Sequence, residues 1–159
     1  HEYLKAAEIA WVPSYARRKL STVQFTYWGK DARDEAGISS GRGWAVSASW
    51  EVGERWLPVV RFGSSNGGAG VAAEDALSGG FQYTVRSDQK WSFGAGWAKP
   101  SSETHGDDID DEYVIETSYN IQVARNFALL PDVQLVIDPA NNPDQDRVWV
   151  GSLRAIVTF

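Results

Sequence analysis

Four groups of residues have types and spacings that could do chemistry. Gly37-Ile38-Ser39-Ser40-Gly41 has the spacing of a nucleophile elbow, which needs a strand-to-helix turn and a histidine base. Its surroundings are Gly- and Ser-rich with no helical pattern following, and the 159 residues contain 2 histidines, His1 and His105. Ser39 with His105 and no evident third group makes a poor hydrolase, so no enzymatic activity is expected. Gly68-Ala69-Gly70-Val71-Ala72-Ala73 approximates a dinucleotide fingerprint, but no βαβ pattern surrounds it and it reads as a loop. Within Asp107-Asp108-Ile109-Asp110-Asp111-Glu112, the carboxylates of Asp108, Asp110 and Glu112 are hard oxygen donors that could take calcium. The glycine and spacing of an EF-hand loop are missing, a solvated acidic loop is favoured, and no resident metal or cofactor is expected. The fourth group is the largest: Glu51, Arg61, Glu116, Asp132, Gln134 and Arg154, joined by Glu8, Gln24, Gln82, Asn120 and Gln122. It mixes carboxylates, guanidinium groups and amides, all able to exchange hydrogen bonds with a hydroxyl-rich neutral solute.

The fourth group is spaced by a two-residue period. In residues 23–28, Val23, Phe25 and Tyr27 alternate with Gln24 and Thr26; in residues 44–52, Trp44, Val46, Ala48, Trp50 and Val52 alternate with Ser47, Ser49 and Glu51. The same alternation fits residues 4–12, 56–63, 77–86, 91–98, 113–123, 127–137 and 148–159, which predicts about nine β-strands and no amphipathic helix. Short connections at 17–18, 53–54, 87–89 and 125–126 alternate with long polar ones at 30–42, 64–75, 100–112 and 138–147. An antiparallel meander with short turns at one end and long loops at the other has this layout, as transmembrane barrels do.

Composition narrows the choice. Net charge is −6, with 43% hydrophobic residues and 8 Trp, which excludes a disordered acidic chain. A sequence pI near 4.9 leaves no basic stripe for phosphates, so nucleic acid is not an expected partner. With 0 Cys there are no disulfides, thiolate metal sites or Cys nucleophiles. No run of 18 apolar residues forms a membrane helix, yet a barrel strand needs only about 9–11 alternating residues.

Alternation alone does not say which face is wet. Charged and amide residues at mid-strand on the polar face favour an inside-out barrel. So do aromatics at the strand ends of the apolar face: Trp44, Trp97 and Trp149 by the long loops, Trp56, Trp91 and Phe127 by the short turns. A last strand ending on Phe159 fits the same reading. The expected fold is therefore all-β, an antiparallel transmembrane β-barrel meander. Arg61, Glu116 and Arg154 are the leading lumen-facing candidates for binding solute, followed by Asp132, Gln134 and Glu51.

Several segments then resemble the carbohydrate-selective porins of the OprB family. They are Thr26-Tyr27-Trp28-Gly29-Lys30-Asp31-Ala32-Arg33-Asp34-Glu35-Ala36-Gly37, Arg55-Trp56-Leu57-Pro58, and Asp111-Glu112-Tyr113 with Glu116 and Tyr119. Clearest is Leu130-Pro131-Asp132-Val133-Gln134-Leu135-Val136-Ile137-Asp138-Pro139, followed by Asn142-Pro143-Asp144, Gly151, Leu153-Arg154 and Phe159. The resemblance implies passive diffusion of sugars such as glucose across a Gram-negative outer membrane, with outer-membrane lipid and lipopolysaccharide as surroundings. It also implies a barrel of about 16 strands, of which residues 1–159 would be the C-terminal portion of the single barrel domain. The partner is then the missing N-terminal half or a companion chain, with a homo-oligomer left open. A self-contained eight-stranded barrel in adhesion or envelope structure is the alternative.

Overall fold

The alternating segments form strands β1 (Leu4–Trp11), β2 (Thr22–Lys30), β3 (Gly41–Ser49), β4 (Trp56–Ser65), β5 (Ala73–Arg86), β6 (Gln89–Pro100), β7 (Glu112–Ala124), β8 (Phe127–Ile137) and β9 (Arg147–Val157). The structure, a computed structural model, describes residues 3–158, so the reading of a terminal outward Phe159 lies outside the described residues. The strands make one 9-stranded sheet in the order β1 to β9, every neighbouring pair antiparallel. Among the described residues β1 and β9 do not pair with each other, so the sheet is open and the closed eight-stranded barrel is not formed. Among the described residues no helix is long and apolar enough to cross a membrane.

Register fixes the two faces, because directly opposed residues project to the same side. Ile9, Phe25, Val46, Phe62, Leu77, Trp97, Tyr113 and Ile137 form one continuous row on the outer face. Burial runs opposite to that of a soluble sheet. Val23, Phe25 and Tyr27 are 39%, 43% and 47% exposed while Gln24 and Thr26 between them are half-buried. Apart from proline and glycine, the only buried apolar residues among those described are Ala69 and Ala128. A protein with its apolar side chains outward has apolar solvent on that side, which is the condition of a transmembrane barrel.

The outer aromatics gather at both strand ends. By the short turns, Trp56 packs on Tyr83 at 4.6 Å and on Phe81 at 5.0 Å, and Phe81 meets Trp91 edge-on at 5.1 Å. Trp11 and Trp50 stack at 5.8 Å and 9° further along the same rim. On β6 the outward row Trp91, Phe93, Ala95, Trp97 spans roughly 15 Å of membrane normal, taking about 3.4 Å per residue and a tilt of about 40°. Rings at both ends extend that row toward the expected apolar band of about 25 Å.

Two connections differ from expectation. Residues 12–21 are no tight turn: they contain a 3₁₀ turn at Tyr15–Arg17, and Ser21 is buried where its hydroxyl accepts the Glu51 N–H at 3.1 Å. β3 also ends at Ser49 instead of running on to Val52, because Val52 bridges back to Trp56 and closes the β3–β4 turn.

The long loops pack on one another. The β4–β5 loop (66–72) is tied to three neighbours. Ala69 N–H donates to the Ser39 carbonyl at 3.1 Å and Lys30 Nζ to the Ala69 carbonyl at 3.2 Å. From the far side, Ser101 Oγ donates to the Gly67 carbonyl and Thr104 Oγ1 to the Val71 carbonyl, both at 2.7 Å. Glu74, at the loop end of β5, accepts from Lys99 Nζ at 2.8 Å and from Ser102.

Candidate functional site

The polar residues line the concave face. A hollow on it of about 630 Å³ is bounded by Gln24, Ser47, Arg61, Gln82 and Glu116, with Ser78, Ser92, Ser118, Gly80, Gly94 and Gly96 as its floor. The floor exists because β5 and β6 place only glycine and serine inward between Arg61 on β4 and Glu116 on β7. Three strand spacings separate these two charges, about 14 Å along the wall. The small residues therefore leave a bay with a cationic and an anionic flank.

Of the six candidates for binding solute, four converge. Glu116 lies opposite Gln134, Asp132 opposite Ser118 and Ser152, and Arg154 opposite Leu130, all on β7, β8 and β9. The Glu116 and Asp132 carboxyl groups face each other within hydrogen-bonding reach, and Arg154 acts electrostatically on Glu116. Asp132 Oδ2 is buried with no hydrogen-bond partner among the described residues. Arg61 shares the concave face but stands apart across the bay. Glu51 does not join them: it lies in the β3–β4 turn at the short-turn rim, anchored through its N–H to Ser21. Nearer β1, Glu8 accepts from Thr26 Oγ1 at 3.1 Å, and Gln24 accepts from Ser47 Oγ at 3.2 Å.

The acidic run is partly occupied by structural bonds. Asp111 Oδ2 accepts the Trp97 indole N–H at 2.8 Å, and Glu112 Oε2 accepts the Ala140 N–H at 3.0 Å. Asp108, Asp110 and Glu112 do not converge, and no group of three or more His, Asp or Glu among the described residues is placed to hold a metal. Ser39 hydrogen-bonds Glu103 and no histidine, and Gly41 opens a strand instead of a helix, so the elbow geometry is absent. Gly68 and Ala69 belong to the packed 66–72 loop, with no βαβ unit.

Two features of this face do not stand out in the sequence. The bay's serines and glycines look unremarkable one at a time, and only register sets them side by side. Trp28 is the other. It follows Gln24 and Thr26 in phase and so points inward, a signal the alternation did carry.

A wide antiparallel sheet with an apolar convex face, aromatic girdles and a polar, mixed-charge concavity is the wall of a porin-type transmembrane barrel. The sequence matches the family described as carbohydrate-selective porin, OprB family, over residues 16–159, and the chain belongs to that family. The solved structure titled "High pH structure of Pseudomonas putida OprB" superposes with a TM-score of 0.77 at 16% sequence identity, covering 98% of this chain. The chain spans 48% of that structure's length. A search of curated proteins gave no match.

Proposed function

We propose that these strands form about half the wall of an outer-membrane channel through which neutral sugars, glucose among them, diffuse passively. Further strands pairing with the β1 and β9 edges would complete the barrel, and membrane lipid and lipopolysaccharide would contact its convex side. The bay carries this reading. Its flanks offer a guanidinium and a carboxylate, its rim offers the amides of Gln24 and Gln82, and its floor is small enough to admit a bulky solute. A wall of one charge sign would favour ions of the other sign, whereas this wall suits a molecule of many hydroxyls. Arg61, Glu116, Asp132, Gln134 and Arg154 are the proposed solute contacts. Glu116, Gln134 and the Asp132 carboxylate supply acceptors, and the two arginines supply donors.

The test is single-channel recording with the full-length porin in planar bilayers. Open-channel current should fall in a graded way as glucose or maltose is added, and Arg61→Ala or Glu116→Ala should weaken that block. A current indifferent to sugar at tens of millimolar would refute the reading. An unchanged block in both variants would remove the two residues from the contact set.

A further inference from the structure

The chain has 8 Trp, and Trp28 is the exception in their placement. Every other aromatic on the described strands projects from the convex face, whereas Trp28 shares the inward phase of Gln24 and Thr26. Directly across the β2–β3 pair is Gly43. A Cβ there would come within 2.9 Å of Trp28 Cε2 and Cζ2, so the indole lies against the glycine backbone and is held by it.

Trp28 also borders a second hollow of about 360 Å³ on the long-loop side, with Arg61, Ser65, Ser78, Val71 and Ala72 among its walls. Val71 and Ala72 come from the 66–72 loop, which its bonds to Ser39, Lys30, Ser101 and Thr104 hold over the inner face. Arg61 borders this hollow and the larger bay alike. The two spaces are therefore successive, sharing one guanidinium.

We propose that Trp28 and Arg61 make an outer subsite for a pyranose ring, reached from the long-loop side before the bay. This rests on the sugar-channel reading and deepens it. A pyranose presents a flat face of C–H groups that packs on the negative face of an indole, while its edge hydroxyls accept from a guanidinium. An open-chain polyol has the hydroxyls but no persistent flat face. The subsite thus selects for ring shape, and Arg61 passes the solute on because it faces both hollows.

The experiment is current block in the full-length porin, comparing glucose with glucitol, a hexitol of nearly equal size. The native channel should be blocked by glucose at roughly three- to tenfold lower concentration than by glucitol, the range a ring-stacking contact supplies. Trp28→Leu keeps an apolar cover over Gly43 but has no π face, and should bring glucose to the level of glucitol while leaving glucitol block unchanged. Trp28→Phe should retain part of the preference. Equal block by the two solutes in the native channel would overturn the subsite while leaving the sugar-channel reading intact, and that measurement needs no variant. Native-like preference in a folded Trp28→Leu channel would also overturn it. Absence of block by either solute would overturn the underlying reading and the subsite together.

Discussion

The floor of the bay offers a sharp test, because three inward glycines look alike in sequence and differ in structure. A Cβ added at Gly80 would stand 2.2 Å from the Phe93 carbonyl oxygen and 2.8 Å from the Gly94 Cα, both backbone atoms. A Cβ at Gly94 would find only the Gly79 carbonyl at 3.8 Å, and one at Gly96 would find the Leu77 carbonyl and Ser78 Cβ at 3.7 Å. Gly80 and Gly94 face each other across the β5–β6 pair, so relief at Gly80 would require the two strands to shift by about an ångström. Overpacking of this kind costs about 1–3 kcal/mol. Replacing a glycine where space exists gains about 0.4–1 kcal/mol by restricting the unfolded chain. Gly80→Ala and Gly94→Ala should therefore differ by about 2 kcal/mol, roughly 30-fold in the folding equilibrium. Urea unfolding of the full-length porin refolded in lipid vesicles would measure this, with Gly94→Ala at or above the native midpoint and Gly80→Ala clearly below it. Coincident unfolding of the two variants would refute the close approach of β5 and β6 at Gly80.

Neighbouring positions on β7 separate the faces. Ile115→Arg places a charge on the convex row and should cost about 2–4 kcal/mol near the bilayer midplane, whereas Val114→Arg points into the bay and should fold normally, as vesicle refolding yields would show. Ser101→Ala deletes a buried donor to the Gly67 carbonyl and should loosen the 66–72 loop by about 1–2 kcal/mol. Faster hydrogen exchange at the Asn66 and Ala69 amides would report it, and unchanged rates would show that the remaining bonds suffice. Glu74→Gln removes the charge partner of Lys99, whose side chain is 53% exposed. Water screens an exposed pair, so the unfolding midpoint should scarcely move and should be equally insensitive to salt.

The faces were legible because the strand period is two: Val23, Phe25 and Tyr27 against Gln24 and Thr26 already separate lipid from lumen. Register was not, since it depends on loop lengths and on irregularities such as the shift between Gln122 and Ala124. That is why Glu116, Asp132, Gln134 and Arg154 could be assigned to one face but not to one cluster, and why Arg61 could not be set apart from them. Glu51 reads as a mid-strand residue in sequence because Trp50, Glu51 and Val52 keep alternating after the strand has ended, and only the Val52–Trp56 bridge shows the turn. Arg17-Arg18 suggests a tight turn, while the length of residues 12–21 serves to seat Ser21 under the neighbouring turn. Trp28 is hard to pick out in sequence because an aromatic on the polar phase breaks the pattern that its neighbour Tyr27 continues on the outward one.

Each strand of the sheet pairs only with the strands beside it in sequence. The order of pairing can therefore follow the order of the chain, hairpin by hairpin. The β5–β6 and β7–β8 turns, at 87–88 and 125–126, are the short closures that would form earliest, since closing a small loop costs little entropy. Among the described residues only β1 and β9 have an unpaired edge, whose backbone groups would each cost several kcal/mol in hydrocarbon. A sheet of this kind is thus easy to extend at its edges and unfavourable to leave open in lipid.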